Sequence, residues 1–112
     1  MESVTKRKKL KPKIRERDIQ KSILDWLSLR RIFHWRASVG AMKIRGHFYH
    51  FGQAGQPDIM AVLKSTGQFC GIEVKAGGKE QSRKQREFQA EVERAGGLYI
   101  VAHSLEDVTS RI

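Results

Sequence analysis

Apolar positions recur along the chain with two periods, one near 3.6 residues and one of 2, and the switches between them mark the elements. Between Ile14 and Arg31, Ile19, Ile23, Trp26 and Leu27 fall at i, i+4, i+7 and i+8, which predicts an amphipathic helix with both tryptophan and aliphatics on its inner stripe. Glu16 and Gln20 stand one turn earlier, at the edge of that stripe. From Phe33 to Val39 the period drops to two, with Phe33, Trp35, Ala37 and Val39 on one side and His34, Arg36 and Ser38 on the other. This predicts a strand with Trp35 facing the core. The glycine-spaced stretch from Gly40 to Gly55 suits either a short hairpin or an ordered loop.

Two apolar runs follow, Asp58 to Leu63 and Gln68 to Lys75, joined by the turn-forming Lys64-Ser65-Thr66-Gly67. Ser82 to Ala95 returns to the helical period, with Gln85, Phe88, Val92 and Ala95 on one stripe and Gly96-Gly97 as its stop. Leu98 to Ala102 reads as a short strand, and Ser104 with Asp107 three residues on resembles a capping box that opens a last short helix. The predicted order is α-β-β-β-α-β-α, an α/β sandwich on a mixed central sheet.

Composition narrows what such a fold can do. In 112 residues, 22 Lys and Arg face 12 Asp and Glu, a net charge of +10 that points to a polyanionic partner. Half of that excess lies in the first 18 residues, where Lys6-Arg7-Lys8-Lys9, Lys11 and Lys13 surround Pro12. Residues 1–13 are therefore expected to be a basic arm, disordered until it meets phosphates, and residues 14–112 a single domain. The remainder stays basic without the arm. The single cysteine, Cys70, excludes an internal disulfide and a Cys-based zinc cage, so a reducing cytoplasm is the expected setting. No apolar run approaches the ~20 residues of a membrane-spanning helix, and the N-terminus does not read as a secretory signal.

The two central runs carry the chemistry. If they pair antiparallel around the 64–67 turn, Leu63 meets Gln68 and Asp58 comes opposite Glu73, on one face. Lys75, two residues on, shares that face, with Gln56 across from it. Opposed carboxylates on paired strands repel, so a pair this close to apolar neighbours either shares a proton or holds a cation. Hard oxygen ligands suit Mg²⁺ or Mn²⁺. The competing reading is a surface salt bridge between Glu73 and Lys75, since exposed pairs of this kind are common and weak.

At these residues the chain resembles a known family. Gly55-Gln56-Pro57-Asp58 followed by Glu73-Val74-Lys75 is similar to the PD-(D/E)XK nuclease signature. The continuation Lys75-Ala76-Gly77-Gly78-Lys79, with Ser82 and Gln85 beyond, resembles its VRR-NUC branch, the virus-type replication-repair nucleases, in their small stand-alone phage or bacterial form. The resemblance implies a restriction-endonuclease-like sandwich in which Asp58, Glu73 and the Val74 carbonyl hold Mg²⁺ or Mn²⁺ and Lys75 serves the hydrolytic water. It also implies an additional acidic residue at Glu16, a possible further ligand, and a catalytic polar residue at Gln85. The implied activity is a metal-dependent endonuclease cutting branched, Holliday-junction-like DNA to 5′-phosphate and 3′-hydroxyl ends as a homodimer. The implied setting is the cytoplasm of a bacterium or phage-infected cell, at the nucleoid when bound to DNA.

Lys43, Arg45, Lys79, Lys8 and Lys9 are the candidate DNA contacts, and Phe48, Tyr49 and Phe51 a candidate dimer surface. Two other readings stand beside it: a non-catalytic DNA-binding module with the nuclease fold, which explains the charge but leaves Asp58, Glu73 and Lys75 without a purpose, and a flap or single-strand nuclease that uses the same residues. His47 and His50 are read as surface or DNA-facing rather than metal ligands, and Cys70 as a core residue turned away from Glu73.

Overall fold

The computed structural model describes residues 14–37 and 40–112. The expected arm with Lys8 and Lys9, residues Ser38 and Val39, and the side chains of His50 and Phe51 lie outside the described residues. Helix α1 (Glu16–Leu29) is followed by β1 (Phe33–Arg36), β2 (Gly40–Ile44), β3 (His47–Phe51), β4 (Ile59–Val62) and β5 (Phe69–Val74). Helix α2 (Arg83–Arg94), β6 (Leu98–Ala102) and α3 (Leu105–Thr109) complete the chain. Among the described residues the result is a small α/β fold with a mixed four-stranded sheet in the order β1-β4-β5-β6, a separate β2–β3 hairpin and three helices. Among the described residues no helix is long and apolar enough to cross a membrane.

The pairings explain which residues are buried. β1 runs antiparallel to β4 and β4 antiparallel to β5, whereas β5 and β6 are parallel, joined by a crossover through α2. One face carries Ile59, Ala61, Cys70, Ile72, Val74, Ile100 and Ala102, and it packs against Ile19, Ile23 and Leu27 of α1 and Val108 of α3. Burying each of these large aliphatics contributes about 1.5–3 kcal/mol. The other face carries Gly71, Glu73 and Tyr99, and α2 covers it over β5 and β6. The Cys70 thiol is buried on the α1 face, away from Glu73, and its burial pushes its pKa up to about 11, so it is an inert core thiol.

Four expectations need correction. The predicted α-β-β-β-α-β-α order gains two strands, because the Gly40–Gly55 stretch, which suited either a hairpin or a loop, forms β2 and β3. Trp35 is not a core residue: it is 41% exposed. It pairs with Met60, whose side of the sheet is opposite α1, and α2 reaches only β5 and β6 there. Phe33 shares that open side and packs on Trp35 with ring centroids 5.3 Å apart. Trp26 is only half-buried, with the Arg30 guanidinium 5.4 Å from its ring centre. The capping box expected at Ser104 and Asp107 does not form. Asp107 instead accepts the His103 N–H at 2.8 Å, one residue further back.

Candidate active site

The predicted register holds. Ile59 pairs with Ile72 and Val62 with Phe69, and the Leu63 N–H donates to the Gln68 carbonyl at 2.9 Å across the 64–67 turn. The same count brings Asp58, just before β4, opposite Glu73. The Asp58 backbone is held by a bond from the Ala37 N–H at 2.9 Å, and its side-chain Oδ2 accepts the Val74 N–H at 2.6 Å.

Two close approaches set the Gln56-Pro57-Asp58 segment in place. Gly55 has φ +81°, and a Cβ there would stand 2.3 Å from the Lys84 carbonyl oxygen at the start of α2. Gly71, on the Glu73 side of β5, leaves room for Pro57; a Cβ would meet the proline ring at 2.9 Å and Tyr99 at 3.3 Å. The glycines let the segment press between α2 and the sheet, which delivers Asp58 to the carboxyl ends of β5 and β6. Ligands in α/β sheets commonly bind at such ends.

Glu73 is completely buried. Its Oε1 accepts from the Tyr99 hydroxyl at 2.6 Å and, more weakly, from Gln81 Nε2 at 3.4 Å. Its Oε2 is buried and has no hydrogen-bond partner among the described residues. A buried carboxylate oxygen without a donor costs free energy unless something cationic or protic meets it. The Tyr99 hydroxyl is pushed far above its usual pKa by burial, then by the bond to Glu73 and the charges of Glu73 and Asp58, so it stays protonated and donating. Asp58 is raised above the ordinary carboxylate range, mainly by burial. The Val74 N–H opposes that rise, Glu16 adds to it, and the positive charges of Lys75 and Arg36 oppose it.

Glu16 reaches the same end of the sheet from the first turn of α1. Its Oε2 accepts the Ala76 N–H at 3.2 Å and lies 3.5 Å from Lys79 Nζ. Lys75 follows β5 with its N–H bonded to the Ala102 carbonyl at 2.9 Å. Its ammonium forms no ion pair with any of the described residues, although its charge is felt at Asp58. The structure thus places Asp58, Glu73, Val74 and Lys75 at one end of the sheet, with Glu16 held farther out against the Ala76 N–H and Lys79. No three His, Cys, Asp or Glu side chains converge among the described residues, so a cation here would draw on fewer carboxylates, main-chain oxygen and water.

Gln85 is placed differently from a catalytic amide. It is the third residue of α2, where its side-chain oxygen accepts the Ser82 N–H at 2.8 Å and its N–H bonds the Ser82 hydroxyl at 3.2 Å. The Ser-x-x-Gln spacing is therefore a capping box. The glutamine that touches the site is Gln81, which sequence reasoning missed, and it is held in turn by Gln89 Oε1 at 2.9 Å. Tyr99 was missed as well. Its signal was present: a polar-tipped residue in an otherwise apolar strand, with the same parity as the strand's contact to Glu73.

Lys79, Arg86 and His103 line a hollow of about 430 Å³ with Gln81 and Val101, and Val101 is the strand partner of Glu73. Glu80 lines the same hollow, so two fixed cations and one acid stand there. A larger hollow of about 810 Å³ lies at the opposite ends of β5 and β6, around Phe69, Phe88 and Val92, and includes none of the site residues. The chain matches no known protein family, and no curated protein is significantly similar to it.

Proposed function

We propose that this protein is a divalent-cation-dependent DNA endonuclease with a restriction-endonuclease-like fold of the VRR-NUC kind. The observation that carries the proposal is the orphaned Oε2 of the fully buried Glu73, set opposite Asp58 and next to Lys75. Asp58, Glu73 and the Val74 carbonyl would hold Mg²⁺ or Mn²⁺, with Glu16 at the rim. Two hard carboxylates, one with an unpartnered oxygen, fit such an ion. When bound, the ion supplies Lewis-acid activation of the phosphoryl group and offsets charge on the leaving oxygen.

The chain's own residues do the rest. Tyr99 and Gln81 occupy one oxygen of Glu73 and so fix the direction of the other. The Val74 N–H does the same for Asp58. Lys75 places a positive charge beside Asp58, where it can orient the attacking water and stabilise charge gathering on the phosphate. Lys79 and Arg86 line the flank along which a phosphate backbone can pass. The favoured substrate is branched, junction-like DNA cut by a homodimer, because two nicks on a two-fold branch need two such sites.

The test is cleavage of linear, flap and four-way-junction DNA by the purified protein with Mg²⁺, Mn²⁺ or EDTA. Activity is expected only with the cations. Glu73→Gln and Asp58→Asn should each reduce it by a factor of about 10²–10³ or more while DNA binding persists. Near wild-type cleavage by either variant would refute the site. A monomer in sedimentation, free and on junction DNA, would move the substrate to flaps or single strands.

A further inference from the structure

We infer that the β2–β3 hairpin is a base-stacking element that recognises DNA whose base faces are unstacked, as in single strands and at branch points. The inference rests on the DNA reading above and deepens it by naming the feature of the substrate that is read.

The hairpin stands apart from the core. Among the described residues β2 and β3 pair with each other, Met42 with Tyr49, Lys43 with Phe48 and Ile44 with His47, and neither strand packs substantially on another helix or strand. Yet Phe48 is 60% exposed and Tyr49 52%, with Met42 and Ile44 exposed as well. Phe48 and Tyr49 are consecutive and lie on opposite faces, Phe48 with Lys43 and Tyr49 with Met42, so each face of the ribbon carries an exposed ring. A two-stranded ribbon alone is marginal in water, and large apolar side chains on it mark surfaces meant to be covered.

Charge chooses the occupant. No acidic residue stands between Asp25 and Asp58, whereas Arg30, Arg31, Arg36, Lys43 and Arg45 all do. A second copy docking hairpin to hairpin would set Lys43 and Arg45 against the same cations, which disfavours that contact. A polyanion with flat apolar surfaces suits the hairpin instead. Lys43 Nζ lies 5.6 Å from the Phe48 ring centre, and His47 packs edge-on to Tyr49 at 4.9 Å. Each aromatic ring thus has a cationic or titratable neighbour placed for flanking phosphates.

The turn supports this. Arg45 and Gly46 have φ of +52° and +79°, the two left-handed residues of a tight hairpin loop. Glycine or asparagine is the favoured residue at the first of these positions, and arginine there costs about 1–2 kcal/mol. The strained residue places a cation at the hairpin tip. Intact duplex hides its base faces, but single strands and branch points offer them. A base on an aromatic ring is worth about 1–3 kcal/mol. Residues 52–57 link β3 directly to Asp58, so what the hairpin holds is tethered to the candidate site.

The test is fluorescence anisotropy in EDTA, where no hydrolysis occurs, with a labelled single-stranded oligonucleotide, a four-way junction and a blunt duplex. The variants are Phe48→Ala with Tyr49→Ala, and Arg45→Gly. Thermal melts check that the core is intact. The double variant should bind the single strand, the junction or both about 10- to 100-fold more weakly while duplex affinity changes little. Which of the two probes suffers identifies the natural source of unstacked bases. Arg45→Gly should weaken all three and reduce the salt slope on duplex by about 0.9.

Equal loss on all three probes by the double variant, unchanged affinity, or no DNA binding by the wild type would overturn the inference. Loss of self-association in sedimentation with unchanged binding would assign the hairpin to a second copy. Hairpin-dependent binding by a protein that never cleaves with Mg²⁺ or Mn²⁺ would refute the nuclease reading and leave the hairpin standing. Cation-dependent cleavage and binding indifferent to the hairpin would do the reverse.

Discussion

The Glu73 end of the four-stranded sheet and the β2–β3 hairpin depart from the ordinary burial rule in opposite directions. In the sheet a carboxylate is sealed from water, although such groups are almost never fully buried without pairing. In the hairpin two aromatic rings are left in water with no core to enter. Both regions contain an antiparallel strand pair, β4–β5 in one and β2–β3 in the other, so pairing alone does not separate them. Support does. The sheet has helices on both faces, and α2, Pro57 and Tyr99 close over Glu73. It can hold a costly group in one orientation. The hairpin has no such support and can only present its groups to a partner.

The largest effect expected from that difference is on stability. Gly55→Ala forces a Cβ against the Lys84 carbonyl at a positive φ, and it should cost about 2–4 kcal/mol. Arg45→Gly, at a positive φ in the hairpin, should leave stability unchanged or raise it by about 1 kcal/mol. Thermal melts of the two variants side by side decide this. Coincident melting curves would mean that the site end is no better braced than the hairpin.

Tyr99→Phe comes next. It takes the 2.6 Å donor from Glu73 and leaves the buried carboxylate poorer by one bond, a loss of about 1–3 kcal/mol. The melting temperature in EDTA should fall by several degrees, about 4–8 °C for each kcal/mol. Binding of single-stranded DNA should not change, because the hairpin is untouched. A variant as stable as the wild type would remove Tyr99 from the support of Glu73.

The pH dependence is smaller and has a definite sign. Asp58 has a raised pKa in the fold, so between the ordinary carboxylate value and the raised one the native state keeps a proton that the unfolded chain releases. Its contribution to stability is therefore present at lower pH and falls as pH rises through that window. Asp58→Asn retains an acceptor for the Val74 N–H, so it should gain stability relative to wild type across the same range. Parallel pH profiles of melting for the two proteins would break the assignment of Asp58 as a desolvated acid.

The smallest expected effect is that of Lys43→Ala. It should leave the melting temperature alone and reduce the salt slope of duplex binding by about 0.9. A shifted melting temperature would show that the hairpin is part of the core after all.

Much of the sheet was legible because short turns fix registers. Four residues between Leu63 and Gln68 suffice to bring Asp58 opposite Glu73, and the parity of Cys70 follows from the same count. Helix α2 was legible through Ser82 and Gly96, since caps are local chemistry. What failed depended on tertiary choice. Alternation grouped Trp35 with Phe33, but not which side of β1 a helix would cover. The spacing of Ser82 and Gln85 fitted both a cap and a site residue, and the backbone claimed it. Gln81 and Tyr99 meet Glu73 from eight and twenty-six residues away, across a crossover whose path no local pattern states.

The bond from Tyr99 to Glu73 also bears on when the site comes into being during synthesis. Asp58, Glu73 and Lys75 leave the ribosome well before β6, and β6 cannot add to β5 until α2 has crossed over. At about 5–20 residues per second the nascent chain spends a second or more with its acidic residues made and their setting unmade. In that interval Glu73 has neither its phenolic donor nor the strand that buries it, and it is an ordinary solvated carboxylate. A chain halted before Tyr99 stays in that condition. The arrival of one late strand therefore separates a solvated Glu73 from a buried one, so the arrangement of Asp58, Glu73 and Tyr99 exists only on a chain already long enough to fold around it.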